Sequence, residues 1–191
     1  MLLIDIDTQV DFMVPAGALY VPGAERLLPL LRRIFQAAGE RGIMVLSSVD
    51  AHAENDPEFA SWPPHCVAGT LGQQKISETL LQDRAVIPNP GGAAFDGGRR
   101  QLIFEKQALD VFTNPNFGIL LERHQERECA VVGVATEYCV RFAVEGLLRA
   151  GRKVRILTDA VSGINGADSD RVLAAAAAGG AELTTAAAMG F

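Results

Sequence analysis

Short apolar runs that alternate with longer amphipathic segments constrain the fold of this chain most. Five short apolar runs have the character of buried strands; they are residues 2–6, 43–49, 102–105, 129–134 and 154–157. Four segments have the apolar spacing of helices; they are residues 24–42, 116–125, 137–150 and 168–178. Strands that alternate with helices favour right-handed crossovers and a mostly parallel sheet. We therefore predict a three-layer α/β fold with helices on both faces of the sheet.

The remaining stretches are predicted to be connections. Residues 50–72 and 88–100 are rich in proline and glycine, residues 76–81 form a short helical patch, and the tail after Gly180 can add one short strand. A length of 191 residues fits a single domain over residues 1–191.

Composition argues against several classes of partner. The formal net charge is −6, whereas nucleic-acid binding depends on clustered Lys and Arg, so we expect no nucleic-acid partner. The amino terminus lacks the features of a signal peptide, and no run of about 18 apolar residues is present, so we expect no membrane partner. Three cysteines are an odd number for a disulfide framework, and reduced thiols in a cytoplasmic protein fit better.

Polar side chains follow four of the predicted strands at their carboxyl ends. They are Asp7, Gln9 and Asp11; Asp50 and His52; Lys106; and the segment from Thr136 to Cys139. In open α/β sheets the ligand binds beyond the carboxyl ends of the strands, so these groups are expected to converge on one site. The glycine motifs of dinucleotide and P-loop sites do not occur in the sequence.

Cys139 is the candidate nucleophile. It lies two or three residues into a predicted helix that Thr136 can cap, and a helix amino terminus lowers the pKa of a thiol. The alternative is that Cys139 is an inert cysteine in the core. We interpret Cys129, which lies inside its apolar run, as a core residue of this kind.

A nucleophilic thiol needs a base and benefits from a nearby cation. Asp11, at the end of "DTQVDF", and Lys106, in "FEKQ", can supply them at the same edge of the sheet. The alternatives are a capping carboxylate at Asp11 and a solvated ion pair at Lys106.

A second group of polar residues has the donor types of a metal site. Asp50, His52, Glu58 and His65 offer two imidazoles and two carboxylates within 16 positions, a set that suits Zn, Fe or Mn. The alternative is ordinary polarity of a surface loop, which is the reading we give His124 on its charged helix face.

Taken together, these residues resemble the isochorismatase-like cysteine hydrolases, and within them the nicotinamidases. The resemblance rests on six pieces in order: "DTQVDF" with "GALYVPGA" after it, "DAHAENDPEF", "WPPHCVAGT", "FEKQ" and "GVATEYCV". It covers most of the chain and implies a Rossmann-like three-layer fold. The chain departs from many relatives at Asp50-Ala51-His52, where they have Asp-Trp-His, and in "QALDVFTNP" after Lys106.

The resemblance implies that Asp11, Lys106 and Cys139 form a catalytic triad. It also implies a cis peptide bond between Val134 and Ala135, with the Ala135 and Cys139 N–H groups forming an oxyanion hole.

The resemblance further implies one divalent metal ion, bound by Asp50, His52 and His65. Glu58 lies where some nicotinamidases have a fourth ligand, and Cys66 corresponds to a non-catalytic position.

The activity implied is hydrolysis of a small carboxamide, nicotinamide above all, through a thioester, with a role in NAD metabolism. Phe12, Trp62 and Tyr138 are candidates to contact the substrate ring, and core packing is the alternative for Phe12. A homo-oligomer is expected. A metal-free relative that cleaves a vinyl ether and a catalytically silent binding protein are the rival functions.

Overall fold

The computed structural model describes residues 1–89 and 98–191. Its strands are β1 (Leu2–Ile6), β2 (Met44–Asp50), β3 (Arg84–Ile87), β4 (Gln101–Lys106), β5 (Glu128–Val134), β6 (Lys153–Ser162) and β7 (Glu182–Thr184). Its α-helices are α1 (Val10–Met13), α2 (Leu28–Arg41), α3 (Pro115–Arg123), α4 (Arg141–Arg149) and α5 (Gly166–Ala178).

The described strands form one parallel sheet in the order β3-β4-β2-β1-β5-β6-β7. The order reverses at β1, which lies between β2 and β5, and a crevice forms at such a reversal. The α/β prediction is confirmed, and the sheet is parallel throughout the described residues.

Alternation along β1 explains why helices cover both faces of the sheet. Leu2, Ile4 and Ile6 point into the core that α3 and α4 complete, whereas Leu3 points into the core that α2 completes. Each face therefore has its own apolar layer, and the strand ends between the layers are free to carry polar residues. No helix among the described residues has the length and apolar character that crossing a membrane requires.

Several elements differ from the sequence predictions. Helix α1 was not predicted, and β6 extends to Ser162 rather than ending at Leu157. Strand β3 was not predicted, because it is a short, exposed edge strand in which only Ile87 is buried. The helix predicted for residues 137–150 begins only at Arg141, since Thr136–Val140 form an irregular π-type turn. Of the connection predicted at residues 88–100, residues 90–97 lie outside the described residues.

Candidate active site

The carboxyl ends of β1, β2, β4 and β5 bring the candidate residues together. Asp50 and Lys106 are direct neighbours in the register of β2 and β4, and Ile6 is the neighbour of Gly133 in β1 and β5. Gly133 has a φ of 114°, and a Cβ there would overlap the carbonyl of Ile6. Only glycine therefore lets β5 pass this close to β1 just before the turn that carries Cys139.

Lys106 lies at the centre of the site and is fully buried. Its Nζ contacts the Asp50 carboxylate, lies 2.9 Å from Asp7 Oδ2, and donates to Cys139 Sγ at 3.5 Å. A buried ammonium group is stable only with partners of this kind. Burial disfavours its charge, but Asp50 and Asp7 outweigh burial and raise the pKa of Lys106.

Asp7 is the carboxylate that shares this cluster with the thiol. Donor atoms of Asp7, Asp50 and Cys139 all lie within 4.8 Å of one another. Ser48 Oγ donates to Asp7 Oδ1 at 2.6 Å, which holds the carboxylate in place. Asp7 has a φ of 49°, in the left-handed region that non-glycine residues rarely adopt and that is frequent at active sites.

The prediction that Asp11 is the acid partner of Cys139 is therefore corrected to Asp7. The Asp11 carboxylate accepts hydrogen bonds from the backbone N–H groups of Ala18, at 3.0 Å, and Cys66, at 2.7 Å. Both of its oxygens are thus engaged in joining loops, which is the capping alternative considered above. Asp7 could have been recognised from its position one residue after the end of β1, nearer the sheet edge than Asp11.

The electrostatics of the cluster favour proton exchange between Asp7 and Cys139. Burial raises the pKa of the Cys139 thiol well above its ordinary value, and Lys106 only partly offsets this. Burial also raises the pKa of Asp7, against the opposing effect of Lys106. A base whose affinity for protons is raised is suited to take the proton of a thiol beside it.

Cys139 itself lies in the turn between β5 and α4 rather than inside a helix. Tyr138 has non-helical angles of φ −119° and ψ −106°, and no side chain caps the turn. The expectation that Thr136 caps a helix here is therefore wrong. Lys106 supplies a positive charge beside the thiol. The peptide bond between Val134 and Ala135 is cis, as the resemblance implied.

Asp50, His52 and His65 form a compact group of potential metal ligands, with donor atoms within 4.8 Å of one another. The Nε2 atoms of both histidines lie 3.9 Å from Asp50 Oδ2. His52 Nε2 is buried and has no hydrogen-bond partner among the described residues, and an orphaned buried nitrogen of this kind fits a metal ligand. One carboxylate and two imidazoles suit Zn or a similar divalent ion.

The far nitrogen of each ring lies close to an oxygen atom of the surrounding protein. His52 Nδ1 is 3.0 Å from Asp56 Oδ2, and His65 Nδ1 is 2.8 Å from the carbonyl of Pro63. Such outer contacts orient metal-binding imidazoles. Burial opposes a charge on His52, but Asp50 and Asp56 outweigh burial and raise its pKa to about 9, so the group attracts positive charge.

Glu58 borders this group without joining it. Its carboxylate is not among the donors that lie within 4.8 Å of one another, yet it lines the same cavity as Asp50 and His65. Burial and the negative charge of Asp50 raise its pKa.

The Cys139 thiol, Asp50 and His65 line one cavity of about 380 Å³, part of which is open to solvent. Phe12, Trp62 and Tyr138 line it together with Cys139 and His65. The rings of Trp62 and Tyr138 pack edge to face with centroids 5.2 Å apart. A larger groove of about 1240 Å³ lies between α4 and α5, but it contains neither the thiol nor the ligand group, so we assign the site to the smaller cavity.

Comparison with known proteins agrees with this architecture. The family model that describes the isochorismatase domain matches residues 1–188 of the sequence. The chain belongs to the isochorismatase family. Within that family it is 33% identical to the nicotinamidase of Escherichia coli (strain K12), over 96% of this chain and 93% of the relative.

Two solved structures of the family extend the comparison. The pyrazinamidase of Pyrococcus horikoshii in complex with zinc is 28% identical, covers 96% of this chain and 97% of its own, and has a TM-score of 0.79. PnC1 of L. infantum in complex with nicotinate is 27% identical and has a TM-score of 0.81. The match covers 98% of this chain and 93% of the PnC1 chain.

Proposed function

We propose that this protein is a nicotinamidase that converts nicotinamide and water into nicotinate and ammonia through a thioester on Cys139. Its relatives identify it as an amidohydrolase that acts on a carboxamide C–N bond. The observation that carries the proposal is the Lys106 ammonium group, which contacts both Asp7 and the Cys139 thiol at the wall of an aromatic cavity.

In the first half of the reaction, Asp7 takes the proton of Cys139, and the thiolate attacks the carboxamide carbon. Lys106 stabilises the thiolate and holds the Asp7 carboxylate beside it. The backbone N–H groups of Ala135 and Cys139 are proposed to donate to the oxyanion, where one such donor is worth about 3–4 kcal/mol. Protonated Asp7 then gives its proton to the leaving amine, so ammonia departs and the thioester remains.

In the second half, Asp7 takes a proton from water, and the resulting hydroxide attacks the thioester carbon. The C–S bond breaks, and the proton returns from Asp7 to the sulfur of Cys139. The product leaves as nicotinic acid, which loses its proton to solvent to give nicotinate, and the enzyme returns to its starting state. One water is consumed and one ammonia is released, so no redox partner is needed.

A divalent metal ion fits the group of Asp50, His52 and His65, and Glu58, which lines the same cavity, is proposed as a further ligand. When bound, the ion would act as a Lewis acid for the pyridine nitrogen and orient the ring. The residues of the chain perform the chemistry at the carboxamide. Phe12, Trp62 and Tyr138 are proposed to pack against the substrate ring.

We also place this reaction in the cytoplasm and in NAD metabolism. All three cysteines are free and buried, which supports a reducing compartment. Assembly into a homo-oligomer stays a prediction.

The experiment that tests the function measures ammonia and nicotinate released from nicotinamide by the metal-loaded protein. We expect the two products in equal amounts. Pyrazinamide, which has a similar ring and the same carboxamide, is expected to be hydrolysed as well. If neither amide releases ammonia, the proposal is rejected, and cleavage of a vinyl ether or a binding function without catalysis remains.

Replacement of His52 tests the metal group separately. We expect His52→Ala to lower bound metal by at least about tenfold, because one ligand of three is lost, and losses of 10- to 100-fold follow even from changes to outer contacts. The measurement is metal content by mass spectrometry after dialysis against a limiting concentration of Zn²⁺. The matched control is His124→Ala, since His124 pairs with Glu126 and lies outside the group. Equal metal content in the two variants would remove His52 from the ligand set.

A further inference from the structure

The Glu137 carboxylate is buried directly behind the turn that carries the nucleophile. Glu137 is 7% exposed and lies two residues before Cys139. Its Oε1 accepts a hydrogen bond from the backbone N–H of Asn165 at 2.7 Å, and its Oε2 accepts one from Ser169 Oγ at 3.1 Å. Neither the resemblance nor the mechanism above gives this residue a role.

Both partners of Glu137 belong to the segment that leads from β6 into α5. Asn165 caps α5 by accepting from the N–H groups of Ala167 and Asp168, and Ser169 lies in the first turn of the helix. The carboxylate therefore lies at the amino-terminal end of α5, where helix N–H groups favour negative charge. The same segment contains Ile164, which lines the catalytic cavity.

The contact between the two segments is tight. A Cβ at Gly163 would overlap both the Glu137 carboxylate and the Ser169 hydroxyl. Gly163 thus lets the chain approach the carboxylate closely enough for both hydrogen bonds to form. The nucleophile turn has no side-chain cap of its own, so Glu137 supplies a specific anchor for an otherwise irregular stretch.

We propose that Glu137 is a positioning residue that fixes the Cys139 turn against the segment carrying Ile164. This inference rests on the proposed function for its kinetic consequence. Cys139 needs its sulfur beside Lys106 and its N–H facing the oxyanion, and a misplacement of about 1 Å can cost on the order of 100-fold in rate. Glu137 acts through the turn and does not touch the substrate.

The test compares Glu137→Ala with the conservative variant Glu137→Gln. The glutamine oxygen can accept from the Asn165 N–H, and its amide can donate to Ser169, so we expect Glu137→Gln to restore function. Glu137→Ala is expected to lower kcat for nicotinamide by about 10- to 100-fold, with a smaller change in KM. A second measurement, alkylation of Cys139 by iodoacetamide located by peptide mass mapping, needs no turnover and is expected to slow in Glu137→Ala.

The matched control is Asp159→Ala. The Asp159 carboxylate also accepts a hydrogen bond from a backbone N–H group, that of Ala186 at 2.9 Å, but Asp159 does not line the cavity. We expect this variant to lose thermal stability while it keeps wild-type kcat and alkylation. If Glu137→Ala fails to fold, Ser169→Ala removes one of the two bonds and is expected to show the same effects more weakly.

Three results would overturn the positioning role. The first is a folded Glu137→Ala variant with wild-type kcat and a wild-type rate of Cys139 alkylation. The second is faster alkylation of Cys139 in Glu137→Ala, which would report only a more open turn, and the third is an equal loss of kcat in Glu137→Ala and Asp159→Ala. If wild-type protein releases no ammonia, the proposed function fails, whereas the alkylation series still tests Glu137 by itself.

Discussion

Asp7→Asn is expected to lower kcat for nicotinamide by about 10²- to 10⁴-fold, the range that general acid–base catalysis contributes. Asparagine keeps the shape of the side chain and can still accept from Ser48, but it cannot take the proton of Cys139. The fold is expected to persist, because Lys106 keeps its contact with Asp50. The measurement is steady-state ammonia release, with thermal unfolding as the check on folding.

Asp11→Asn is the matched control, since it makes the same change four residues away. Asparagine has one acceptor oxygen where aspartate has two, so the N–H of either Ala18 or Cys66 loses its acceptor. We therefore expect the free energy of unfolding to fall by about 1–2 kcal/mol. The rate at saturating substrate is expected to stay near the wild-type value. Comparable losses of kcat in the two variants, or a larger loss in Asp11→Asn, would return the acid–base role to Asp11.

Cys139→Ala is expected to abolish hydrolysis, with a loss of about 10⁴-fold or more, because no covalent intermediate can form. Metal content is expected to be unchanged, since the thiol is not part of the group of Asp50, His52 and His65. Any slow hydrolysis that remains in Cys139→Ala would come from binding and orientation of the substrate without the nucleophile.

The control for the thiol is Cys129→Ala. Cys129 is buried within β5, and burial raises the pKa of its thiol to about 11. This variant is expected to lose some stability through the small cavity it creates and to keep its kcat. Robust ammonia release by Cys139→Ala would contradict a covalent mechanism.

The fold was predictable wherever a strand or helix has a strongly apolar face. The run at β1 was predicted with the bounds it has in the structure, because all five of its residues are buried. Strand β3 could not be predicted, since three of its four residues are partly or fully exposed at the sheet edge. The sequence predicts helix in the turn before α4, because the apolar spacing of the turn continues into Arg141–Arg149 and a π-type turn does not change that spacing.

The candidate site was predictable as a meeting of strand ends, but the choice between two acids was not. Lys106, Cys139 and the group of Asp50, His52 and His65 lie together as the topology requires. Asp7 and Asp11 both belong to "DTQVDF", and the choice depends on the left-handed backbone at Asp7 and on N–H groups that reach Asp11 from distant loops. Neither is visible in the order of residues. Glu137 was missed for a similar reason, because a charged residue at the start of a predicted helix is typical of a solvated first turn.

The most direct test of the account is the partitioning of the acyl group between water and hydroxylamine. If nicotinamide and methyl nicotinate both pass through the same thioester on Cys139, the ratio of nicotinohydroxamate to nicotinate is expected to be identical for the two substrates at a given hydroxylamine concentration. Ratios that differ between amide and ester would show that no common acyl-enzyme forms, and would contradict the proposed role of Cys139.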